Sequence, residues 1–143
     1  MPDTKQIETI FASSVGCPPE AIWRALTATN VPRSWMWDSS LRGSLAEGSD
    51  YAMYDDDSNL IVGTVLASEA PYRLVLSFDP QWDATVSTEP AGILEYLITP
   101  TGAEQSQFTV RISGLSGSSA GAMERNTAGI YSQLTAWLEA EGF

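Results

Sequence analysis

The chain has 143 residues, 43% of them hydrophobic, which suits one domain that hides roughly 70% of its unfolded surface. Eighteen acidic residues against seven basic ones give a formal charge of −11, with the arginines spread singly from Arg24 to Arg125; nucleic acid and anionic membrane surfaces, which attract clustered cations, are excluded as partners. Histidine is absent, and Lys5 and Cys17 are the only residues of their kinds, which excludes imidazole-dependent triads, zinc and facial-triad iron sites, thiolate cages and an internal disulfide.

The first expected element is a strand over Ile7–Ser14, where Ile7, Thr9 and Phe11 alternate with polar neighbours. Pro18-Pro19-Glu20 then opens a helix, since proline is pre-set for a first turn and an acidic residue complements the helix N-terminus. Ile22, Ala25 and Leu26 make its apolar face with Trp23 at the edge, and Asn30 and Pro32 end it. A second short helical turn is expected over Val31–Trp35. From Leu41 to Gly114 the period changes to two, predicting strands over Ser39–Leu45, Ser49–Asp55, Leu60–Glu69, Tyr72–Asp79, Ile93–Pro100 and Gln107–Ser113. Tight turns join them at Glu47-Gly48, Asp57-Ser58-Asn59, Ala70-Pro71 and Thr101-Gly102, which implies an antiparallel meander. The connection from Pro80 to Gly92 is longer and carries Trp82. The last element is a helix over Ser119–Glu141, with Met123, Thr127, Ile130, Tyr131, Leu134, Trp137 and Leu138 on one stripe. Only that helix is long enough to cover one face of the sheet.

The chemistry that remains is carboxylate chemistry, hydrogen bonding and an aromatic surface of five Trp, five Tyr and four Phe. Gly117-Ser118-Ser119-Ala120-Gly121 matches a nucleophile elbow, but without histidine the serine has no ordinary base, and Ser119 is expected to cap the long helix. Asp55, Asp57 and Asn59 alternate as in a calcium loop, yet Leu60 and Leu66 stand where that loop needs glycine and glutamate, so a solvated hairpin turn is expected. In Trp35-Met36-Trp37 at least one indole should reach the interior, as core or as cavity wall. Trp82 reads either as a lid or as a core plug. Glu95 and Arg111 are expected to pair across strands on the solvent face, although a one-residue slip in register would turn both inward.

Several segments together resemble a known family. They are AIWRALT from Ala21 to Thr27, Gly63-Thr-Val, APYRLVLSF from Ala70 to Phe78, Trp82, and LTAWLE from Leu134 to Glu139. The chain resembles, from about Ile7 to Glu141, the homologues of the activator of heat-shock-protein ATPase, within the START/birch-allergen-like (SRPBCC) superfamily. The resemblance implies an α+β helix-grip fold: a curved seven-stranded antiparallel sheet wrapped around a long C-terminal helix, with an apolar cavity between them. It also implies an apolar or aromatic small-molecule ligand, lipid-, polyketide- or hormone-like. The expected walls are Leu74, Leu76, Phe78, Tyr96, Phe108, Val110, Met123, Thr127 and Tyr131, with Trp35, Trp37 and Trp82 near the opening. No metal or organic cofactor is expected, and the chain is expected to be a monomer or homodimer. The alternatives are a carboxylate-assisted enzyme of cyclase or hydrolase type, and a co-chaperone-like interaction module. The Pro80–Gly92 loop and the Gly114–Ser119 hinge are the expected moving parts. Met1–Gln6 lacks the charged and apolar segments of a signal peptide, and no apolar run approaches the roughly 20 residues of a membrane span, so a cytoplasmic protein is expected.

Overall fold

Strand alternation places large apolar side chains on one face of the sheet, and the long helix closes over them. The computed structural model describes residues 7–141. Its elements are β1 (Ile7–Val15), α1 (Pro19–Thr27), β2 (Ser40–Arg42), β3 (Asp50–Asp55), β4 (Ser58–Glu69), β5 (Arg73–Pro80), β6 (Gly92–Gly102), β7 (Gln105–Leu115) and α2 (Gly117–Glu141). The strands form one seven-stranded antiparallel sheet in the order β1-β7-β6-β5-β4-β3-β2. Every connection from β2 to β7 is therefore to a neighbour, and β1 closes the far side against β7. Bulges between Met53 and Tyr54, Val65 and Ala67, and Pro100 and Gly102 bend the sheet, because an extra residue on one strand increases local twist. This is the curved α+β architecture of a helix grip.

Register decides which side chains meet the helix. Leu74, Tyr96, Val110 and Phe11 lie in one row across β5, β6, β7 and β1. One step along, Leu76, Leu94 and Ile112 form the next row. Their strand residues are buried, Phe11 partly so. The intervening residues face outward. Glu95 lies opposite Arg111, and its carboxylate is 3.7 Å from the Arg111 guanidinium and 3.0 Å from that of Arg73. Glu8 and Glu69 extend the ladder at 3.6 and 3.4 Å. The expected cross-strand pair is thus present on the outer face, as one link of a longer alternation of charge.

The long helix buries Ala120, Met123, Thr127, Ile130, Tyr131, Leu134 and Leu138, the three-and-four spacing of a single stripe. Trp137 departs from the expected stripe and is 41% exposed, because Leu138 takes the inward position one turn beyond Leu134. In α1 the buried residues are Pro19, Ala21, Ile22 and Leu26, and the helix lies against β6. The second short helix expected over Val31–Trp35 does not form. Pro32 lacks an N–H, Asn30 has φ 61°, and Trp37 and Asp38 have φ 56° and 57°; consecutive left-handed residues are incompatible with a right-handed helix. The segment is instead a turn closed by the Arg33 N–H on the Ser39 carbonyl at 2.8 Å. The strand expected over Ser39–Leu45 stops at Arg42, where Gly43 and Leu45 take φ 127° and 59°. Among the described residues, no helix is long and apolar enough to cross a membrane.

Two substitutions separate the two faces. Phe108→Ala removes a fully buried ring and should cost about 3–5 kcal/mol, whereas Arg111→Ala, on the exposed ladder, should cost about 1 kcal/mol or less; denaturant unfolding of both variants checks the register. Burial, then Glu139 and Glu104, pushes the Cys17 thiol up to about 11, so the stability it contributes is present at neutral pH and lost as pH rises through that value. Native protein should consequently resist iodoacetamide at pH 8, with alkylation following the rate of unfolding.

Candidate functional site

The expected wall residues come together. Leu74, Leu76 and Phe78 on β5, Tyr96 on β6, Phe108 and Val110 on β7, and Met123, Thr127 and Tyr131 on α2 are all buried between sheet and helix. The rings are in mutual contact: Tyr96 stacks on Phe108 at 6.0 Å between centroids, and Tyr131 meets Tyr96 edge-on at 5.8 Å. Phe11, absent from the sequence-based set, joins them at 6.4 Å from Phe108 and 6.1 Å from Tyr131. The Thr127 hydroxyl is turned back on its own helix and donates to the Met123 carbonyl at 2.6 Å.

Two polar devices lie among these apolar groups. The Tyr96 and Tyr131 hydroxyls are 2.7 Å apart, tying the middle of the sheet to the middle of α2. Burial raises both above the ordinary phenol range, so the pair stays neutral at physiological pH and shares a single hydrogen bond between its two oxygens. The second device is Arg33, only 4% exposed. Its Nε and Nη2 donate to the Ser39 carbonyl and hydroxyl at 3.3 and 3.0 Å, and its guanidinium lies 5.0 Å from the Trp35 ring centroid. Desolvation lowers its pKa, while nearby Tyr96, Tyr131 and Tyr51 oppose that shift. Arg33 and Trp35 also border a crevice of about 110 Å³ that reaches Trp137. Nothing in the sequence marks Arg33, since an isolated arginine between Pro32 and Ser34 carries no sign of burial.

The three tryptophans near the expected opening separate. Trp35 is buried and packs on Tyr131 at 6.0 Å. Trp37 is 43% exposed, because its left-handed backbone turns the chain outward between Met36 and Asp38. Trp82 is half-buried against the core and meets Trp37 edge to face, with centroids 6.1 Å apart and planes at 74°. These two indoles, with Asp55, Leu60, Ala122 and Asn126, line a cleft of about 340 Å³. Asp55 ends β3 and pairs with Ser58 across a two-residue turn at Asp56-Asp57, and Leu60 is the third residue of β4. Ala122 and Asn126 share one face of α2, where the Asn126 amide donates to the Ala122 carbonyl at 2.7 Å. The cleft thus gathers residues from the turn after α1, the β3–β4 hairpin, the β5–β6 connection and the long helix.

The two segments expected to move are joined to each other. The Glu89 carboxylate accepts the Ser118 and Ser119 N–H groups at 2.9 and 2.8 Å. It therefore caps the helix that Ser119 was expected to cap. The Ser119 hydroxyl donates to the Ser116 carbonyl at 3.0 Å instead. A carboxylate at this place satisfies amides that have no partner within the helix and meets the positive end of its dipole. Gly117 has φ 64°, and a Cβ there would run into the Glu89 carboxylate, so glycine is needed for both conformation and room. Within the same connection, Asp83 accepts the Val86 N–H at 2.9 Å, Val86 is buried, and the Gln81 N–H reaches the Leu60 carbonyl at 2.7 Å. Trp82 is consequently held at both ends of its loop.

Hydrogen bonds from Ser118 and then Ser119 hold the Glu89 carboxyl below its usual range. Its contribution is present above the unfolded carboxylate pKa and is lost as pH falls through the folded value. Glu89→Gln should weaken protection of the Ser118 and Ser119 amides and flatten the acid limb of the stability profile. Hydrogen exchange and pH-dependent unfolding measure the two effects.

The fold recurs in solved structures. Protein MLL2253 from Mesorhizobium loti matches with a TM-score of 0.76 at 19% identity, over 94% of this chain and 98% of that one. CalU16 from Micromonospora echinospora matches at 0.72 and 18%, over 98% and 88%. The Aha1 dimer protein from Colwellia psychrerythraea matches at 0.67 and 14%, over 93% and 96%. At these identities the likeness is one of fold. No curated protein matches the chain. The family model described as Activator of Hsp90 ATPase homolog 1-like protein matches residues 16–139, a span that includes α1, all strands but β1, and nearly all of α2. The chain belongs to that family.

Proposed function

We propose that the protein binds a small molecule with an apolar or aromatic body at the Trp37–Trp82 cleft, where the sheet–helix interior meets the surface. The observation that carries this reading is the cleft itself: about 340 Å³, walled by two indoles, Leu60 and Ala122, with Asp55 and Asn126 as its polar groups. A small-molecule site generally has this composition, apolar area for affinity and a few polar groups for orientation, and a volume from about 300 Å³ upward. Leu60 and Trp82 also pack on the buried core. A ligand lying on them is therefore one layer from the walls formed by Phe78, Met123 and their neighbours, the set expected to contact it.

Binding is favoured over carboxylate catalysis by the distribution of acids. The buried polar residues among the described ones are Arg33, Ser39, Ser40, Ser106, Ser119 and Thr127, none of them a carboxylate. A general acid or base with a raised pKa is made by desolvation, and the carboxylate that borders the cleft, Asp55, is exposed.

A neutral apolar dye such as Nile red should bind near one-to-one and quench tryptophan emission. Trp82→Ala should weaken it about 10- to 100-fold, corresponding to about 1.5–3 kcal/mol for an aromatic side chain covered by the ligand, while leaving far-ultraviolet circular dichroism unchanged. Absence of dye binding to folded protein, or undiminished binding in both the Trp82→Ala and the Trp37→Ala variant, refutes the site.

A further inference from the structure

We infer that the cleft selects an organic cation: an ammonium or quaternary ammonium group, carried on an apolar body, seated in the corner between Trp37 and Trp82 and facing Asp55. This deepens the reading of the cleft as the ligand site and depends on it. The indole planes stand at 74° with centroids 6.1 Å apart, so together they present a corner, one ring offering its face beside the edge of the other. An indole face carries negative quadrupolar charge and attracts a cation within about 6 Å of its centroid, and paired aromatic walls are a recurrent way of holding alkylated ammonium groups.

Charge at the cleft points the same way. Among the described residues that line it, none is basic and Asp55 is the charged one. Among the described residues, the Asp55 carboxylate takes no part in an ion pair, since the salt bridges fall on Glu8, Glu69 and Glu95. The cations nearest in sequence are occupied elsewhere or stand outside the lining: Arg42 donates to Asn59 at 2.7 Å and covers the Tyr54 ring at 4.6 Å, and Arg125 is not among the lining residues. Asp56 and Asp57 continue the hairpin from Asp55, Asp38 follows Trp37, and Asp83 follows Trp82. With a formal charge of −11 on the whole chain, the field over the cleft concentrates cations and repels anions. Asn126 adds a further acceptor, because its amide nitrogen is committed to the Ala122 carbonyl and its oxygen has no protein donor among the described residues. Apolar contact alone requires none of this, whereas an alkylated ammonium uses the indole corner, the carboxylate and the amide oxygen together.

The test is a charge series: phenyltrimethylammonium, its neutral isostere tert-butylbenzene, and the aromatic anion benzoate, each titrated into the full chain and followed by the indole N–H resonances of Trp37 and Trp82. The cation should bind roughly tenfold or more tightly than the neutral isostere, and benzoate should leave both indoles unmoved. Asp55→Asn should remove most of the difference between cation and isostere while sparing the isostere, and raising ionic strength from about 0.05 to about 0.5 M should narrow it. Equal affinity for cation and isostere would overturn charge selection and leave the apolar site standing. Binding of none of the three would remove both. Cation binding that persists in Trp37→Ala and Trp82→Ala, without indole shifts, would mean diffuse attraction to an acidic protein and would also overturn the proposal.

Discussion

A curved sheet has one apolar face to bury, and α2 is the element that covers it. That demand organises the molecule. It sets the stripe from Ala120 to Leu138, the inward rows of β5, β6 and β7, and the point at which the cover must begin. The start of the cover is fixed by charge and backbone amides, through the Glu89 carboxylate on the Ser118 and Ser119 N–H groups. Because Glu89 belongs to the connection that carries Trp82, one interaction both seats the helix and positions a wall of the cleft. Loss of the cap would loosen the wall with it. Glu89 thereby links the loop that carries Trp82 to the start of α2.

The interior is not uniformly apolar, and its polar groups have a common logic. An isolated hydroxyl or charge in such a place is costly. Tyr96 and Tyr131 meet that cost with each other at 2.7 Å, and each also offers a ring to the same cluster. Arg33 meets it with two bonds to Ser39 and the face of Trp35. The Ser39 hydroxyl in turn donates to the Met36 carbonyl at 2.7 Å. Arg33 is thus the internal brace of the turn that sends Trp35 inward and Trp37 outward. Replacing the expected short helix by this turn is what gives two neighbouring tryptophans different environments.

What the sequence made legible is the part governed by periodicity. Alternation along Ile93–Pro100 and Gln107–Ser113 assigned Tyr96, Phe108 and Val110 to the inside and Glu95 and Arg111 to the outside, because a register error would invert every side chain at once. The helical stripe was readable for the same reason, apart from Trp137 at its margin. The unreadable features are set by contacts between residues far apart in the chain. Glu89 lies 29 residues from Ser118, and a lone glutamate before Pro90 looks like any loop acid. The Trp37–Trp82 corner joins two irregular segments, neither of which has a period to read. Asp55 was visible, yet only as part of an acidic turn. Its place beside two indoles follows from how the hairpin packs on the rest of the molecule.

Folding constrains the parts of this chain unequally. The periodic parts must satisfy the packing of sheet on helix, so substitutions there are judged by volume and burial. The turn around Trp37, the hairpin at Asp55–Asp57 and the loop around Trp82 meet that requirement only at particular residues: Arg33, Trp35, Met36, Trp82 and Val86, which are buried or pack on the core, and Glu89, which caps α2. The exposed side chains between them, such as Trp37, Asp38, Asp55, Asp56 and Asp57, can change the shape and charge of the cleft without disturbing the core. In this chain those positions hold the Trp37 indole and a series of aspartates. Irregular segments with pinned ends combine a firmly held backbone with the composition least constrained by folding, which is why the proposed site falls there.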